Sequence, residues 1–353
     1  MMNADTSTRA REALRRTAQR TTDWRFHCWY WGDAIAVDGL MEADTLGLGP
    51  YREHVLETLW RWHRHCPPNF DDALAPGGTI IRLVMEGELP TEAGNRMLSL
   101  LEALPRAHGA VPALEPHRPL FRHGLCIDAL YHLPATYAMA ARWKEDSRLA
   151  DKAVQIALDG MHVLRSRAGW SQWFDPVRKR NNDVAWTRGM GWAALGLLDL
   201  VHLVSGVGLT SAQGLDEAKR LAAEVLQRLA GTQQADGHWP AVLDHAPADS
   251  ETSTAAFYVA AALHPAAAGL AVLPASVLER AISACRRALS DDGTYTGATA
   301  DVLPSWDIRT YEHCPTEPSP WAQGAAVRAF AALARAPVLP ENSSERIIAA
   351  SSQ

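Results

Sequence analysis

The sequence has few of the features that mark several classes of protein. It contains five cysteines in 353 residues, and no Cys-x-x-Cys spacing. We therefore expect neither a disulfide framework nor a zinc cluster, and reduced thiols fit a cytoplasmic location. No apolar run approaches the roughly 18 residues that a membrane span needs, and the first residues lack the apolar region of a secretory signal. We expect a cytoplasmic protein with no membrane partner.

Positive charge is also scarce. The 34 Lys and Arg are outnumbered by 40 Asp and Glu, which gives a net charge of −6, and no basic block is present. Binding to nucleic-acid phosphates needs clustered Lys and Arg, so a nucleic-acid partner is not expected. Phe and Tyr are few, at 6 and 7, but Trp reaches 13. An indole ring suits stacking on sugar rings, and it suits core packing as well, so the count favours carbohydrate without deciding.

The apolar pattern predicts helices. Alternation with a period of two is almost absent, so we expect no large sheet. In the segment LDEAKRLAAEVLQRLAG, leucines, alanines and a valine fall on one helical face, and Gly231 stands where a C-terminal cap is wanted. Similar stripes recur along the chain, which indicates an all-α protein.

Short turns that carry glycine and an aromatic or apolar residue recur every 56 to 68 residues, at Gly109, Gly169, Gly237 and Gly293. This spacing is typical of a repeated helical hairpin, and the chain has room for about six of them. Such hairpins stack into an open solenoid or close into a toroid. Long Trp-rich loops favour the toroid, the (α/α)6 barrel, with a site at one end. We expect one domain over residues 21–337, an extension at 1–20 and a tail at 338–353.

Asp128 is the first candidate for chemistry, since it interrupts the apolar run GLCIDAL before a helix. One interpretation is a helix N-cap; the other is a buried carboxyl with a raised pKa, as a general acid requires. The segment CPPNFDDALAPGG offers Asp71 and Asp72. One of them is either a helix cap or a second carboxylate of the kind that glycoside hydrolases use.

Aromatic and cationic residues form the next candidates. In WTRGMGW, Trp186 and Trp192 flank Arg188 within an expected Gly-spaced turn that leads into a helix. The indoles are either walls around a sugar or core residues, and the guanidinium either binds substrate or caps carbonyls. Tyr30 stands at a helix entry, as a further candidate wall. In the SETST segment, residues 250–254, we expect Ser250 or Thr252 to cap a helix, with Glu251 close to the helix N-terminus. The fourteen His show no HxxxH or HExxH spacing, so no metal is expected.

These segments, in this order, resemble the unsaturated uronyl hydrolases of glycoside hydrolase families 88 and 105, which include the rhamnogalacturonyl hydrolases. The resemblance covers most of the chain, from WYWGDAI through NFDDALAPGG and GLCIDALYHLPATYA to SPWAQGAAVRAFAAL. Its most specific part is WTRGMGW, which is similar to the family's Trp-x-Arg-Gly-x-Gly-Trp. ETSTAAF is similar to the family's Glu-Thr-Ser-x-Thr-Ala. The family fold is the (α/α)6 barrel.

The resemblance implies roles for individual residues. It makes Asp128 the general acid and base, and Asp71 a second essential aspartate. It places in the substrate site His117, Trp186, Arg188, Trp192 and, more loosely, Tyr30. One segment departs from the family, which usually has a histidine in Gly-Leu-Phe-x-His-Gly-x-Asp. Here the sequence reads GWSQWFDP, and Gln172 takes the place of that histidine in the substrate site.

The resemblance also implies an activity. Such hydrolases are glycosidases that remove a 4,5-unsaturated uronic acid from the non-reducing end of oligosaccharides made by polysaccharide lyases. They need no metal or organic cofactor, and we expect a monomer or homodimer. Because a fold does not determine its chemistry, two alternatives stay open. One is another carbohydrate-active or tailoring enzyme on the same barrel, and the other is a sugar-binding scaffold without catalysis.

Overall fold

The computed structural model describes residues 4–26, 31–65, 76–104, 106–108, 111–112, 124–205, 212–243, 245, 248–270 and 273–336. Within these ranges the chain forms thirteen α-helices, one of them only four residues long, and seven short strands. Twelve main helices agree with the six hairpins expected from the recurring turns, and the all-α toroid is confirmed.

Six helices form the inner ring of the toroid. They are α2 (Trp31–Thr45), α4 (Gly77–Met85), α6 (Ala129–Lys144), α8 (Thr187–Val204), α10 (Ser253–Ala262) and α13 (Pro320–Arg335). Each packs against the next, and α13 packs back on α2, which closes the ring; between α2 and α4, the Thr79 hydroxyl bonds Asp38. These sequences are apolar or small around the whole helix, and nearly every residue of α8 and α10 is buried.

Six further helices form the outer layer. They are α1 (Ala4–Thr22), α3 (Tyr51–His65), α5 (Thr91–Ala103), α7 (Ser147–Val163), α9 (Ala212–Ala230) and α11 (Ala275–Ala288). Their apolar residues lie on one face, as in α11, where Val277, Ala281 and Ala284 are buried with the three- or four-residue spacing of a helix stripe. The predicted face of α9 is buried, and Gly231 follows its last residue as expected.

The strands connect the helices at their ends. β1 (Arg106–His108) pairs with β2 (Val111–Pro112), and β6 (Trp239–Pro240) pairs with β7 (Ser250–Glu251). A three-stranded antiparallel sheet runs in the order β3 (Leu125–Cys126), β4 (Trp173–Asp175), β5 (Arg180–Asn181). The short helix α12 (Arg309–Glu312) lies in the long connection before α13. β3 leads directly into α6 and so determines where that helix begins.

The recurring glycine turns hold neighbouring hairpins together. Gly237 and Gly293 have φ of +87° and +86°, and a Cβ on either would lie 2.3–2.4 Å from a carbonyl oxygen of another outer helix, Arg280 or Arg16. Only glycine allows both the left-handed conformation and this approach. The indole N–H of Trp239 donates to Leu229 O at 2.7 Å, near the end of α9. At Gly237 and Gly293 the Gly-aromatic pattern therefore marks the packing of a turn on a neighbouring hairpin, whereas Gly169 makes no such close approach and Gly109 lies outside the described residues.

The helix α1 belongs to the barrel, which corrects the expected extension at residues 1–20. Leu14 is fully buried, with Ala10 and Ala18 beside it in the core. The side-chain amide of Gln323 on α13 donates to Thr17 O at 3.1 Å and to Gly293 O at 2.8 Å. The prediction was wrong because the many charged residues of α1 lie on its outer face, while its alanines and Leu14 face α13.

A cavity of about 930 Å³ occupies the end of the barrel at which the inner helices finish. Its wall holds a buried charge network: Arg328 pairs with Asp199 at 2.7 Å and donates to Tyr131 Oη at 2.8 Å, and Tyr131 donates to Asp38 at 2.7 Å. Burial opposes ionisation of Asp199, but the Arg328 guanidinium brings the pKa of that carboxyl well below its usual range. The network thus keeps its buried charges paired.

No helix among the described residues combines the length and the apolar character that crossing a membrane would require. Cys126, Cys285 and Cys314 form no disulfide bond, and burial raises the pKa of the Cys285 thiol to about 12. Cys28 and Cys66 lie outside the described residues.

Candidate active site

The N-terminal ends of the inner helices meet at one mouth of the toroid. Trp31 at the start of α2 stacks on Trp321 of α13 at 5.2 Å and meets Trp192 of α8 edge-on at 5.9 Å. Trp192 also contacts Phe257 of α10 at 4.6 Å and Tyr131 of α6 at 5.0 Å. These rings, with His132, form an aromatic layer across the barrel. It separates the mouth from the cavity at the other end.

Asp128 lies at this mouth, directly before α6. Its half-buried side chain occupies the N-cap position, yet it makes no capping hydrogen bond to the helix. The interpretation of Asp128 as a helix N-cap is therefore right about its position but not about a capping hydrogen bond. The preceding residue is held firmly, because Ile127 N–H donates to Gln172 O at 2.8 Å. The β3–β4 pairing thus sets the place of Asp128 at the rim.

Gln172 lies behind Asp128, at the centre of a buried hydrogen-bond network. Its side chain is only 2% exposed. Its amide nitrogen donates to Val302 O at 2.9 Å, and its amide oxygen accepts from the Tyr311 hydroxyl. That hydroxyl in turn accepts from Ser305 N–H at 2.9 Å and from the Asn182 amide at 3.0 Å. The network fastens the loop before α12 to the three-stranded sheet.

Tyr311 stays protonated in this setting. Burial raises the pKa of its hydroxyl, and the nearby carboxylate of Asp128 raises the pKa further. The hydroxyl can therefore donate to Gln172 at all ordinary pH values. Because Gln172 uses both ends of its amide within the protein, this geometry favours a supporting role over direct contact with substrate.

Arg188 is completely buried in α8. Its guanidinium donates to Glu251 at 3.1 Å, to Thr299 Oγ1 at 2.9 Å and to Ala300 O at 2.9 Å. It also lies over the Trp186 ring at 4.4 Å from the centroid. The arrangement joins three parts of the chain behind the mouth. As for Gln172, these contacts with protein groups favour a role in supporting the site over direct contact with substrate.

Glu251 is the partner that sequence reasoning missed. The carboxylate is fully buried; one oxygen accepts from Arg188 and from Thr299 N–H at 2.9 Å, and the other accepts from Ser253 N–H at 2.8 Å. The cap was expected on Ser250 or Thr252, but Thr252, the N-cap residue of α10, makes no side-chain capping bond, and the Glu251 carboxylate accepts from the first helical N–H instead. The hydroxyl residues around Glu251 gave no signal for an arginine 63 positions away.

The two indoles of the Trp-Thr-Arg-Gly-Met-Gly-Trp motif are also buried. Trp186 is the N-cap residue of α8, and Trp192 lies within the aromatic layer. Gly191 is helical and does not form a turn, contrary to the expectation of a Gly-spaced turn. A Cβ there would meet Phe257 Cβ at 2.6 Å, so the glycine is needed for close packing of α10 on α8. In the structure, the motif thus encodes close packing of helices.

Three predicted site residues, Tyr30, Asp71 and His117, lie outside the described residues. Of the others, the structure brings Asp128 and Gln172 together, and it places Arg188 and both tryptophans behind the mouth. Within the described part of the chain, no group of three His, Cys, Asp or Glu could hold a metal ion. Gathered helix N-termini carry partial positive charge, which favours an anionic group at this mouth.

The structure is thus an α/α toroid with a carboxylate at the mouth where its inner helices begin. Residues 11–336 match the model of Glycosyl Hydrolase Family 88. The chain belongs to this family and is a glycosidase that acts on carbohydrate.

Solved structures share the fold at low sequence identity. A possible member of the GH105 family from Klebsiella pneumoniae is 16% identical with a TM-score of 0.82, and the match covers 93% of each chain. A family 88 glycosyl hydrolase from Bacteroides vulgatus is 15% identical with a TM-score of 0.73, covering 93% of this chain and 99% of that one. The unsaturated glucuronyl hydrolase of Bacillus sp. GL1 is 15% identical with a TM-score of 0.67, covering 90% and 94%. A search of curated protein sequences gave no match.

Proposed function

We propose that the enzyme removes a 4,5-unsaturated uronic acid from the non-reducing end of oligosaccharides that a polysaccharide lyase has produced. The observation that carries this proposal is the family match over residues 11–336, within which Asp128 stands at the mouth of the toroid. The activity in the name of the Bacillus sp. GL1 neighbour, unsaturated glucuronyl hydrolysis, supports the same class of substrate.

The proposed reaction needs one well-placed carboxyl group. Asp128, protonated, donates its proton to C4 of the enol ether, and positive charge develops at C5 and the ring oxygen. The resulting carboxylate then takes a proton from water as the water oxygen bonds to C5. The hydrated sugar is a hemiketal, which opens and releases the next sugar. The same carboxyl thus serves as acid and then as base.

Other residues are proposed to hold the substrate or the acid in place. The helix N-termini around the mouth favour the carboxylate of the unsaturated sugar. Gln172, through Ile127, fixes the backbone from which Asp128 projects. Asp71 is proposed to bind a sugar hydroxyl or to raise the pKa of Asp128 by repulsion between like charges. Tyr30 and His117 remain proposed substrate contacts.

The test is a screen of oligosaccharides generated by pectic, glycosaminoglycan and ulvan lyases, followed by ultraviolet absorbance of the conjugated double bond. Hydrolysis destroys the double bond, so absorbance falls as the free sugar appears. The matched control uses the same oligosaccharides with the double bond reduced, which should not be cleaved. A rise in absorbance on intact polysaccharide would mean lyase chemistry and would contradict the proposal, as would cleavage of the reduced substrates.

The location and assembly are proposed from the sequence. Cys126, Cys285 and Cys314 are in no disulfide bond, which fits the reducing cytoplasm, and we propose a monomer or homodimer there. Fractionation of cells and light scattering of the purified protein test these two statements.

A further inference from the structure

A cationic and aromatic surface lies on the rim of the mouth. We call it the rim platform and define it by Trp306, Arg178 and Arg180. Trp306 is 39% exposed, in the loop before α12. The guanidinium of Arg180 lies 4.4 Å from its ring centroid and that of Arg178 lies 5.5 Å from it. Behind it, Trp173 packs edge-on at 5.3 Å. The platform combines an exposed flat ring with two guanidinium groups.

The charge of the platform is only partly neutralised. Arg178 pairs with Asp175 at 2.6 Å, and Lys179 follows it in the same β4–β5 turn. Over the ranges that the structure describes, no carboxylate forms an ion pair with Lys179 or Arg180. The turn therefore carries positive charge on a protein whose net charge is −6. An anion next to Arg180 would gain charge-assisted hydrogen bonds without displacing a protein partner.

The platform is fixed relative to Asp128. β4 pairs with β3, so Trp173 stands opposite Cys126, two residues before the acid. The loop that carries Trp306 is fastened at the adjacent Ser305, whose N–H donates to Tyr311 and whose carbonyl accepts from Asn182 at 2.8 Å. The same Tyr311 hydroxyl bonds Gln172. One hydrogen-bond network thus supports both the acid and the platform.

We propose that the rim platform binds a carboxylate- or sulfate-bearing sugar downstream of the unsaturated residue, with the sugar face on Trp306 and the anion on Arg180. This inference rests on the proposed function, and it adds that acidic oligosaccharides are preferred to neutral ones. Trp supplies a stacking face, and the planar guanidinium holds an anionic oxygen pair in a fork that Lys cannot reproduce.

The experiment compares three unsaturated substrates: one with neutral downstream sugars, one with downstream uronates and one with downstream sulfates. For wild type, kcat/KM should be higher on an acidic substrate than on the neutral one. In Arg180→Gln the ratio of acidic to neutral kcat/KM should fall about ten- to a hundredfold, as expected when a hydrogen bond to a charged group is lost. Trp306→Ala should lower kcat/KM on all three substrates, because it removes the stacking face. The acidic substrate that loses more in Arg180→Gln identifies carboxylate or sulfate as the preferred anion.

Arg148→Gln is the matched control, since Arg148 is 89% exposed and pairs with Asp146 at 2.7 Å. It lies at the start of α7, at the end of the barrel where α6 finishes and away from the mouth. This variant should keep the wild-type ratio. A ratio that is the same in Arg180→Gln as in wild type overturns the inference while leaving hydrolysis intact.

A separate measurement tests the rim platform even if the proposed hydrolysis is not found. Binding of a saturated acidic tetrasaccharide is followed by calorimetry with wild type, Arg180→Gln and Trp306→Ala. Weaker binding in both variants supports the platform even if no unsaturated substrate is cleaved. Equal binding in all three overturns it. Binding of a single-stranded oligonucleotide with the same dependence on Arg180 and Trp306, and none of the saccharide, also overturns it.

Discussion

At the scale of single residues, the first expectation concerns Asp128. Replacing the carboxyl with an amide removes the proton donor and keeps the shape, so Asp128→Asn should lower kcat on the unsaturated substrate by about 10²–10⁴-fold. The loss of ultraviolet absorbance gives the rate, and circular dichroism checks the fold. Asp146→Asn is the control, since Asp146 is also an N-cap aspartate, on α7. An Asp128→Asn rate above a tenth of wild type contradicts the role of this residue as the acid.

Arg188 gives a second prediction at this scale. A lysine keeps the charge but cannot reach Glu251, Thr299 and Ala300 together, so Arg188→Lys should lower the free energy of unfolding by about 1–3 kcal/mol. Arg188→Met should cost more, about 3–5 kcal/mol, because Glu251 is left buried without its partner. Adding Glu251→Gln should recover part of this. Urea unfolding measures all three.

The same variants test substrate contact by Arg188. If the guanidinium touches the sugar, kcat/KM of folded Arg188→Lys should fall roughly ten- to a hundredfold. Wild-type kinetics with lower stability would leave Arg188 as a buried support, which its contacts with protein favour.

At the scale of elements, the glycine turns are the testable feature. Gly293→Ala and Gly87→Ala both place a side chain at positive φ, +86° and +78°, but only Gly293 would bring its Cβ to 2.4 Å from Arg16 O. The shared conformational cost is about 1–2 kcal/mol, and the clash should add about 1–3 kcal/mol for Gly293→Ala alone. Thermal unfolding of the two variants measures the difference. Equal losses of stability in the two variants would show that the turn at Gly293 does not pack closely against α1.

At the scale of the whole molecule, helix α1 should stabilise the barrel as one unit. Leu14 is fully buried against the core, so Leu14→Ala should cost about 2–5 kcal/mol of unfolding free energy. A residue in a loose extension would cost little. Denaturant unfolding by fluorescence and by circular dichroism should give a single coincident transition that moves to lower denaturant concentration. A change below 0.5 kcal/mol, within the range usual for a surface residue, would support the predicted extension at residues 1–20 instead.

Global stability should also depend on pH through His132. Burial in the aromatic layer lowers the pKa of His132 from 6.5 to about 3. The folded protein therefore holds the ring neutral, while the unfolded chain takes up a proton as the pH falls below 6.5. Stability is thus lost as the pH falls from 6.5 towards 3, by about 1.4 kcal/mol per unit at most. From pH 7.5 to 5.5, wild type should lose about 1.4 kcal/mol more than His132→Phe. Urea unfolding at the two pH values measures this, and equal losses would contradict it.

The sequence by itself determined the repeat and the helical class, and it singled out Asp128 as the candidate acid. Gly237, Gly293 and the residues after them show the period because each turn must meet a neighbouring helix, which is a local and repeated constraint. Asp128 was visible because a carboxylate inside an apolar run is costly without a function. Several short motifs in a fixed order then indicated the unsaturated uronyl hydrolases of families 88 and 105. The match of residues 11–336 to the family 88 model confirms that the chain belongs to family 88.

Only the tertiary structure decided which residues meet. Arg188 and Glu251 are 63 positions apart, and Gln172 and Tyr311 are 139 apart, so no local pattern could pair them. Closure of the ring brings α1 against α13 and buries Leu14 and its neighbouring alanines, although the many charged residues of α1 suggest an exposed segment. The physical reason is the same in each case: the chain's periodicity records which face of a helix is apolar, but the partner of a buried polar group depends on how all six hairpins close.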